Sequence, residues 1–166
     1  MKIESLHDLF VEQLRDMHYA ESKTESFLPR MAASATDPQL RKAFETHLRE
    51  TGDQLKKIER VMAMLGLKAR GEKCEAIDGI LKETENLISH AKNDLVLDAV
   101  LIAAAQKVEH YEIATYGTLC AFANRLGYKE EAKLLHEILE QEKKTDLALT
   151  RLAEQDPVVN ARATAA

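Results

Sequence analysis

Apolar residues recur every three or four positions through four long stretches of the chain, and that period predicts helices. The first helix runs from about Ile3 to Ala33, with Leu6, Phe10, Leu14, Met17, Thr24, Leu28 and Ala32 on one stripe and Glu21 in its middle. Pro29 lies inside the pattern and predicts a kink, not a stop. The helix should end before Ala35-Thr36-Asp37-Pro38, where Asp37 can cap and Pro38 can open the next helix. The second helix runs from Pro38 to Leu65. Leu40, Phe44, Ile58, Met62 and Leu65 point inward, His47, Thr51 and Gln54 share their stripe, and Glu50 sits at its edge. Gly66 reads as a C-terminal cap.

A long connection follows, from Gly66 to Asp94. Cys74 to His90 reads as a short amphipathic helix, with Ile77, Leu81 and Leu87-Ile88 on one face. Asn93-Asp94 caps the third long helix, which ends at Gly127 and is the most apolar part of the chain. Leu101, Ala105, Val108, Leu119 and Leu126 form its stripe; Glu112 lies at the centre and Glu109 on the flank. Its back carries Ala99, Ala103, Ala114, Gly117 and Ala121, a seam of small residues that either the crossover helix or a second subunit could fill. The fourth long helix runs from about Lys129 to Ala153, with Leu135, Ile138, Thr145, Leu149 and Leu152 inward, Glu142 central and Asp146 one turn later. The tail from Asp156 to Ala166 is short, small and expected to fray.

Two tight hairpins joined by one long crossover are the connectivity of a ferritin-like bundle. The expected fold is therefore all-α: a ferritin-like four-helix bundle, one domain over 1–166, with an additional short helix in the crossover at 66–94. Composition agrees: 45% apolar and 31% charged residues, with only six Gly and three Pro among 166 residues. A net charge of −5 opposes nucleic-acid and membrane-surface roles, which need a basic patch. Cys74 and Cys120 fit no CxxC pattern, and no secretory leader or long uncharged run is visible, so the default expectation is a reduced cytoplasm. None of the six His falls in a zinc spacing.

The turns also act as rulers. Glu21 and Glu50 lie about equally far from the first turn, and Glu112 and Glu142 about equally far from Gly127. In antiparallel hairpins, residues equidistant from the turn share a height, here about 21 Å along each helix. Four carboxylates, one per helix, can then meet in one layer, joined by Glu109 and Asp146 from neighbouring turns. Like charges at close range drive one another toward protonation, and two divalent or trivalent cations would resolve the conflict. A set of mostly oxygen donors, with or without one imidazole from His47, suits iron or manganese better than zinc or copper. His47 reads equally as a ligand or a satisfied core histidine. Asp146 reads as a ligand or as a hydrogen-bond acceptor for one. His110 faces the small-residue seam and reads as a contact residue, and Asp53 as solvated. Tyr111 and Tyr116 read as core residues, either of which could hydrogen-bond a ligating carboxylate; Cys120 reads as a buried small hydrophobe.

The segments KVEHYEIATYGTL, HLRET and EQEKKTDLAL resemble the YciE/YciF group of bacterial ferritin-like proteins, and the likeness extends from LHDLFVEQLRDMHYAE to TRLAE. It implies a stress-associated ferritin-like bundle, a homodimer with a di-metal site. By the same resemblance Glu21 matches the first-helix ligand, Glu50 the second, Glu109 and Glu112 the paired glutamates of the third, and Glu142 the fourth. The ferritin-like Glu-x-x-His pattern is absent: Asp53 follows Glu50 and Thr145 follows Glu142.

Two functions follow as expectations. One is a protein that binds two iron or manganese ions and handles oxygen, peroxide or iron. The other is a non-catalytic structural bundle that retains the acidic layer. A DNA-binding mini-ferritin is opposed by the charge, and a 24-subunit iron store by the resemblance.

Overall fold

The computed structural model describes residues 2–154, except the side chain of Leu95. It contains five helices: α1 Leu6–Ser34, α2 Pro38–Met64, α3 Glu75–His90, α4 Asp94–Leu126 and α5 Lys129–Glu154. No strand occurs among the described residues. The tail expected to fray lies outside them.

Each boundary has a local cause. Helix α1 begins three residues later than the apolar pattern suggests, because Ser5 caps it by accepting from the Asp8 amide. It continues through Pro29. Asp37 caps α2 by accepting from the Gln39 and Leu40 amides, with Pro38 in the first turn. Both α2 and α4 stop at a glycine with positive φ, 70° at Gly66 and 82° at Gly127. At each, the two amides beyond the helix turn back to its last carbonyls: Gly66 N to Ala63 O and Leu67 N to Met62 O, Gly127 N to Asn124 O and Tyr128 N to Ala123 O. This paired capping needs a left-handed residue, and glycine reaches that region without strain.

Helices α1 and α2 form one antiparallel hairpin and α4 and α5 the other; α1 packs on α4 and α2 on α5. Helix α3 crosses outside, against α4 and α1. This is a ferritin-like four-helix bundle with a short helix in its crossover. Several contacts hold the crossover to α1, among them the ion pairs Arg15–Glu72 and Arg30–Glu85. The Glu72 amide donates to Arg15 O, Tyr19 donates its hydroxyl to Asp78, and a Cβ at Gly71 would lie only 2.7 Å from the Tyr19 nitrogen. Glycine at 71 is thus required by close approach.

The expected face of α3 needs correction. Leu87 is exposed, and Thr84 takes the inward place with its hydroxyl bonded to Ile80 O. The small-residue seam of α4 is not filled by this helix either. Ala103, Ala114 and Ala121 are exposed, and a Cβ built on Gly117 meets nothing within 4 Å.

The apolar core divides into two. One part gathers Phe10, Leu14, Met17, Ile58, Leu119 and Ile138; the other gathers Leu28, Leu40, Phe44, Leu101 and Leu149. Between them every bundle helix passes through a short buried polar stretch, and those stretches form the layer described next. None of the described helices is long and apolar enough to cross a membrane.

Candidate metal centre

The register of the layer is set at the end of the bundle. Asp98, buried near the start of α4, accepts from the backbone amides of Thr36 at 2.8 Å and Asp37 at 3.0 Å, and from the Thr36 hydroxyl. One carboxylate thus clamps the first turn of one hairpin to the opening of the other. From that common origin about 14 residues lead to Glu50 on α2, to Glu21 on α1 and to Glu112 on α4, roughly 21 Å along each axis. The sequence reading missed Asp98. Its only signal was one acid alone in the run LVLDAVLIAAA.

Within the layer Glu21, Glu112 and Glu142 have no exposed surface, and His47 and Glu109 are also buried. One donor atom from each of His47, Glu109, Glu112 and Glu142 can be chosen so that all four lie within 4.8 Å of one another. Bonds of about 2.0–2.2 Å from a cation to nitrogen and oxygen place opposed donors about 4.4 Å apart at most. Small side-chain adjustments would therefore close these four around one ion.

The other expected ligands stand around this group, not in it. Glu21 is fully buried, and its Oε1 accepts from the Tyr116 hydroxyl. Glu50 is half-buried and lines, with His47 and Glu109, the inner end of a groove between α2 and α5. Asp146 is also half-buried, with Oδ1 3.3 Å from Nε2 of the exposed His110. Among the residues read as bystanders, Asp53 is exposed beside Lys56, Cys120 is buried, and the Tyr111 hydroxyl lies 3.0 Å from the Cys74 sulfur.

What the layer lacks is as telling as what it holds. Among the described residues no Lys or Arg pairs with Glu21, Glu109, Glu112 or Glu142; the imidazole of His47, with Nε2 3.1 Å from Glu109 Oε1, is the basic side chain that meets them. That contact lacks the alignment of a hydrogen bond. Both oxygens of Glu109 and of Glu142, one each of Glu21 and Glu112, and both nitrogens of His47 are buried without a hydrogen-bond partner. The Thr51 hydroxyl and the whole Gln54 amide, on the same stripe of α2, are also unpartnered. Thr24 supplies one of the few satisfying contacts, donating to Glu112 Oε1 at 3.3 Å.

Native interiors rarely leave such groups unmatched, since each costs about 1–3 kcal/mol. The electrostatics carry the same strain. Burial, reinforced by the charge of Glu142, pushes the Glu21 carboxyl up to about 8. Burial, with Glu21, Asp146 and Glu50 nearby, does the same to Glu109, also to about 8. Glu112 and Glu142 are held well above the ordinary carboxylate range, first by burial and then by their acidic neighbours. Without a cation, the layer is dry enough to hold these acids as neutral acids.

Comparison with known proteins bears on the whole chain. A family described as a domain of unknown function, DUF892, matches residues 5–164. Protein YciF of Escherichia coli (strain K12) is 44% identical over 154 residues, spanning 92% of this chain and 93% of that protein. Among solved structures, YcfI of Rhodopseudomonas palustris, described as a proposed structural protein, aligns with a TM-score of 0.88 at 40% identity, covering 90% of this chain and 95% of that one. The crystal structure of the E. coli stress protein YciF aligns with a TM-score of 0.87 at 43% identity, covering 91% and 96%. On the strength of that match along nearly its full length, this chain belongs to the DUF892 family, together with the stress protein YciF.

Proposed function

We propose that the protein is a two-metal carboxylate protein, using iron or manganese, that takes part in a stress response by handling peroxide, dioxygen or iron itself. The observation that carries this reading is the set of unpartnered buried donors at mid-bundle. One imidazole and a majority of carboxylate oxygens match the preference of iron and manganese, and the absence of thiolates disfavours zinc and copper. His47, Glu109, Glu112 and Glu142 would hold one ion. Glu21, through its free Oε2, would hold a second with the shared glutamates, and Glu50 would reach the pair from the groove.

Such ions, when bound, supply one-electron chemistry toward peroxide or dioxygen. The chain's own contribution is positioning and exclusion of water. Tyr116 fixes one oxygen of Glu21 and leaves the other free; Thr24 does the same for Glu112. The apolar cores above and below seal the layer along the bundle axis, so the groove between α2 and α5 is the open approach. The raised carboxyls mean that ion binding must expel protons from Glu21 and Glu109 at neutral pH.

Purification without chelator followed by elemental analysis tests this directly. One to two iron or manganese ions per chain are expected after anaerobic loading. Much less than one ion per chain would sink it.

A second reading is favoured by a different observation: burial alone can keep these acids neutral, so the layer can persist as a purely structural element. The relative YcfI is described as a proposed structural protein. This reading expects no turnover of ferrous iron or peroxide and no stabilisation by added metal.

A further inference from the structure

A groove of about 570 Å³ runs between α2 and α5 and ends at His47, Glu50 and Glu109. Its size falls in the range of sites for organic ligands, about 300–1,000 Å³, and far exceeds what peroxide or dioxygen needs. Its walls are apolar: Phe44, Ala105, Leu149 and Leu152 present buried surface to it. Lys42, eight residues from Glu50 on α2, and Arg151, nine residues from Glu142 on α5, line its far end roughly 12–14 Å along the helices from the acids. Both are exposed and neither has a carboxylate within 4.0 Å among the described residues, while exposed Lys144 stands nearer the acidic end. The charge along the groove therefore runs from cationic at the far end to acidic at the inner end.

We infer that this groove is a binding site for an amphipathic organic anion, a free medium-chain carboxylic acid, lying with its carboxylate at Lys42 and Arg151 and its hydrocarbon end toward His47 and Glu109. The orientation follows from charge complementarity. The inner carboxylates repel an anion, whereas Lys42 and Arg151 at the far end can hydrogen-bond it with charge assistance. Phe44, Ala105, Leu149 and Leu152 between the two ends match a hydrocarbon chain, with Gln39, Thr46 and Thr145 as the uncharged polar residues of the lining. Binding itself stands on the groove alone. The placement of the hydrocarbon end beside an ion rests on the two-metal reading.

The test is titration of the full chain with decanoate, in parallel with decanol and decyltrimethylammonium, followed by calorimetry and by NMR shifts of the groove methyl groups. Chelator-treated chain is used first. Saturable binding of decanoate, at least about tenfold tighter than either control, with shifts centred on Ala148, Leu149 and Leu152, is expected. The double charge reversal Lys42→Glu with Arg151→Glu should weaken decanoate by at least about tenfold and leave decanol unchanged. Ala148→Trp, at an exposed wall position, should block all three by filling the space. Equal binding of all three probes, or shifts remote from α2 and α5, would overturn the proposal. In manganese-loaded chain, paramagnetic relaxation should be stronger at the decanoate methyl end than beside its carboxylate; the reverse gradient overturns the orientation. A chain that binds decanoate but takes up no manganese loses the two-metal reading and keeps the groove. A chain that takes up manganese but not decanoate does the opposite.

Discussion

Tyr116 of α4 donates its hydroxyl hydrogen to Oε1 of Glu21 on α1, and neither residue has exposed surface. The two lie 95 positions apart in sequence, in different hairpins. This bond joins the halves of the bundle at the level of the acidic layer and sets which oxygen of Glu21 remains available.

Tyr116→Phe keeps the ring and removes that donor. The metal-free protein should lose about 1–3 kcal/mol, because Glu21 would then have both oxygens unpartnered. Urea denaturation checks this. An unchanged midpoint would mean that Glu21 finds water or another partner.

Glu112→Leu removes an acid from the centre of the dry layer. The metal-free melting temperature should rise, by about 2–4 °C for each kcal/mol recovered. Added manganese or ferrous iron should protect the wild type, by about 2.7 kcal/mol at a hundredfold excess over its dissociation constant, and leave the variant unmoved. Thermal scans with and without metal separate the two proposed functions. Metal protection of both proteins, or of neither, would go against a site built on Glu112.

The acids also predict a pH dependence with a definite sign. Glu21 and Glu109 titrate near 4.5 when unfolded and near 8 when folded. Between those values the folded metal-free chain binds more protons than the unfolded one. The stability contributed by these two groups should therefore be fully present below about 4.5 and be lost as pH rises to about 8, by at most about 1.4 kcal/mol per pH unit for each group. On the two-metal proposal, added metal should reverse the trend, because binding would displace those protons and strengthen as pH rises. Denaturant midpoints across this window, with chelator and with manganese, measure both slopes.

Asp98→Ala should be among the costliest single changes outside the layer. It removes three hydrogen bonds to an anion at the junction of the hairpins, two of them from backbone amides. A loss of about 3 kcal/mol is expected, since such bonds are worth about 1.5–3 kcal/mol each and do not add fully. A double-mutant cycle with Thr36→Val isolates the hydroxyl's share. A change below about 0.5 kcal/mol would show that the turn needs no clamp.

The open small-residue face of α4 fits the homodimer that the resemblance implies. Sedimentation should give about twice 18.7 kDa, and Gly117→Trp should shift the chain toward monomer. A monomeric wild type would remove this expectation.

The helices were legible because burial imposes a period on the sequence. Phe10, Leu14 and Met17, or Leu135 and Ile138, sit inward wherever the spacing puts them. Caps were legible because few residues satisfy a helix end: Asp37 with Pro38, and Gly66 and Gly127. The face of α3 was less so, since a threonine that bonds its own helix can replace an apolar residue, as Thr84 does. Distance from the turns also carried Glu21, Glu112 and Glu142 to one depth, because helical rise is constant along a straight element.

Rise and period stop short of side-chain partnership. Only the packed helices show that His47 stands beside Glu109 while Glu50 opens onto the groove, and that Asp146 turns to His110. Asp98 is a similar case, for it joins groups 61 and 62 positions away and has no periodic signature. For the four bundle helices the sequence by itself determined most of the inward residues and their height, because those depend on local geometry. Which inward residues touch depends on helix rotation and on which faces meet across the bundle, and only the tertiary structure decided that.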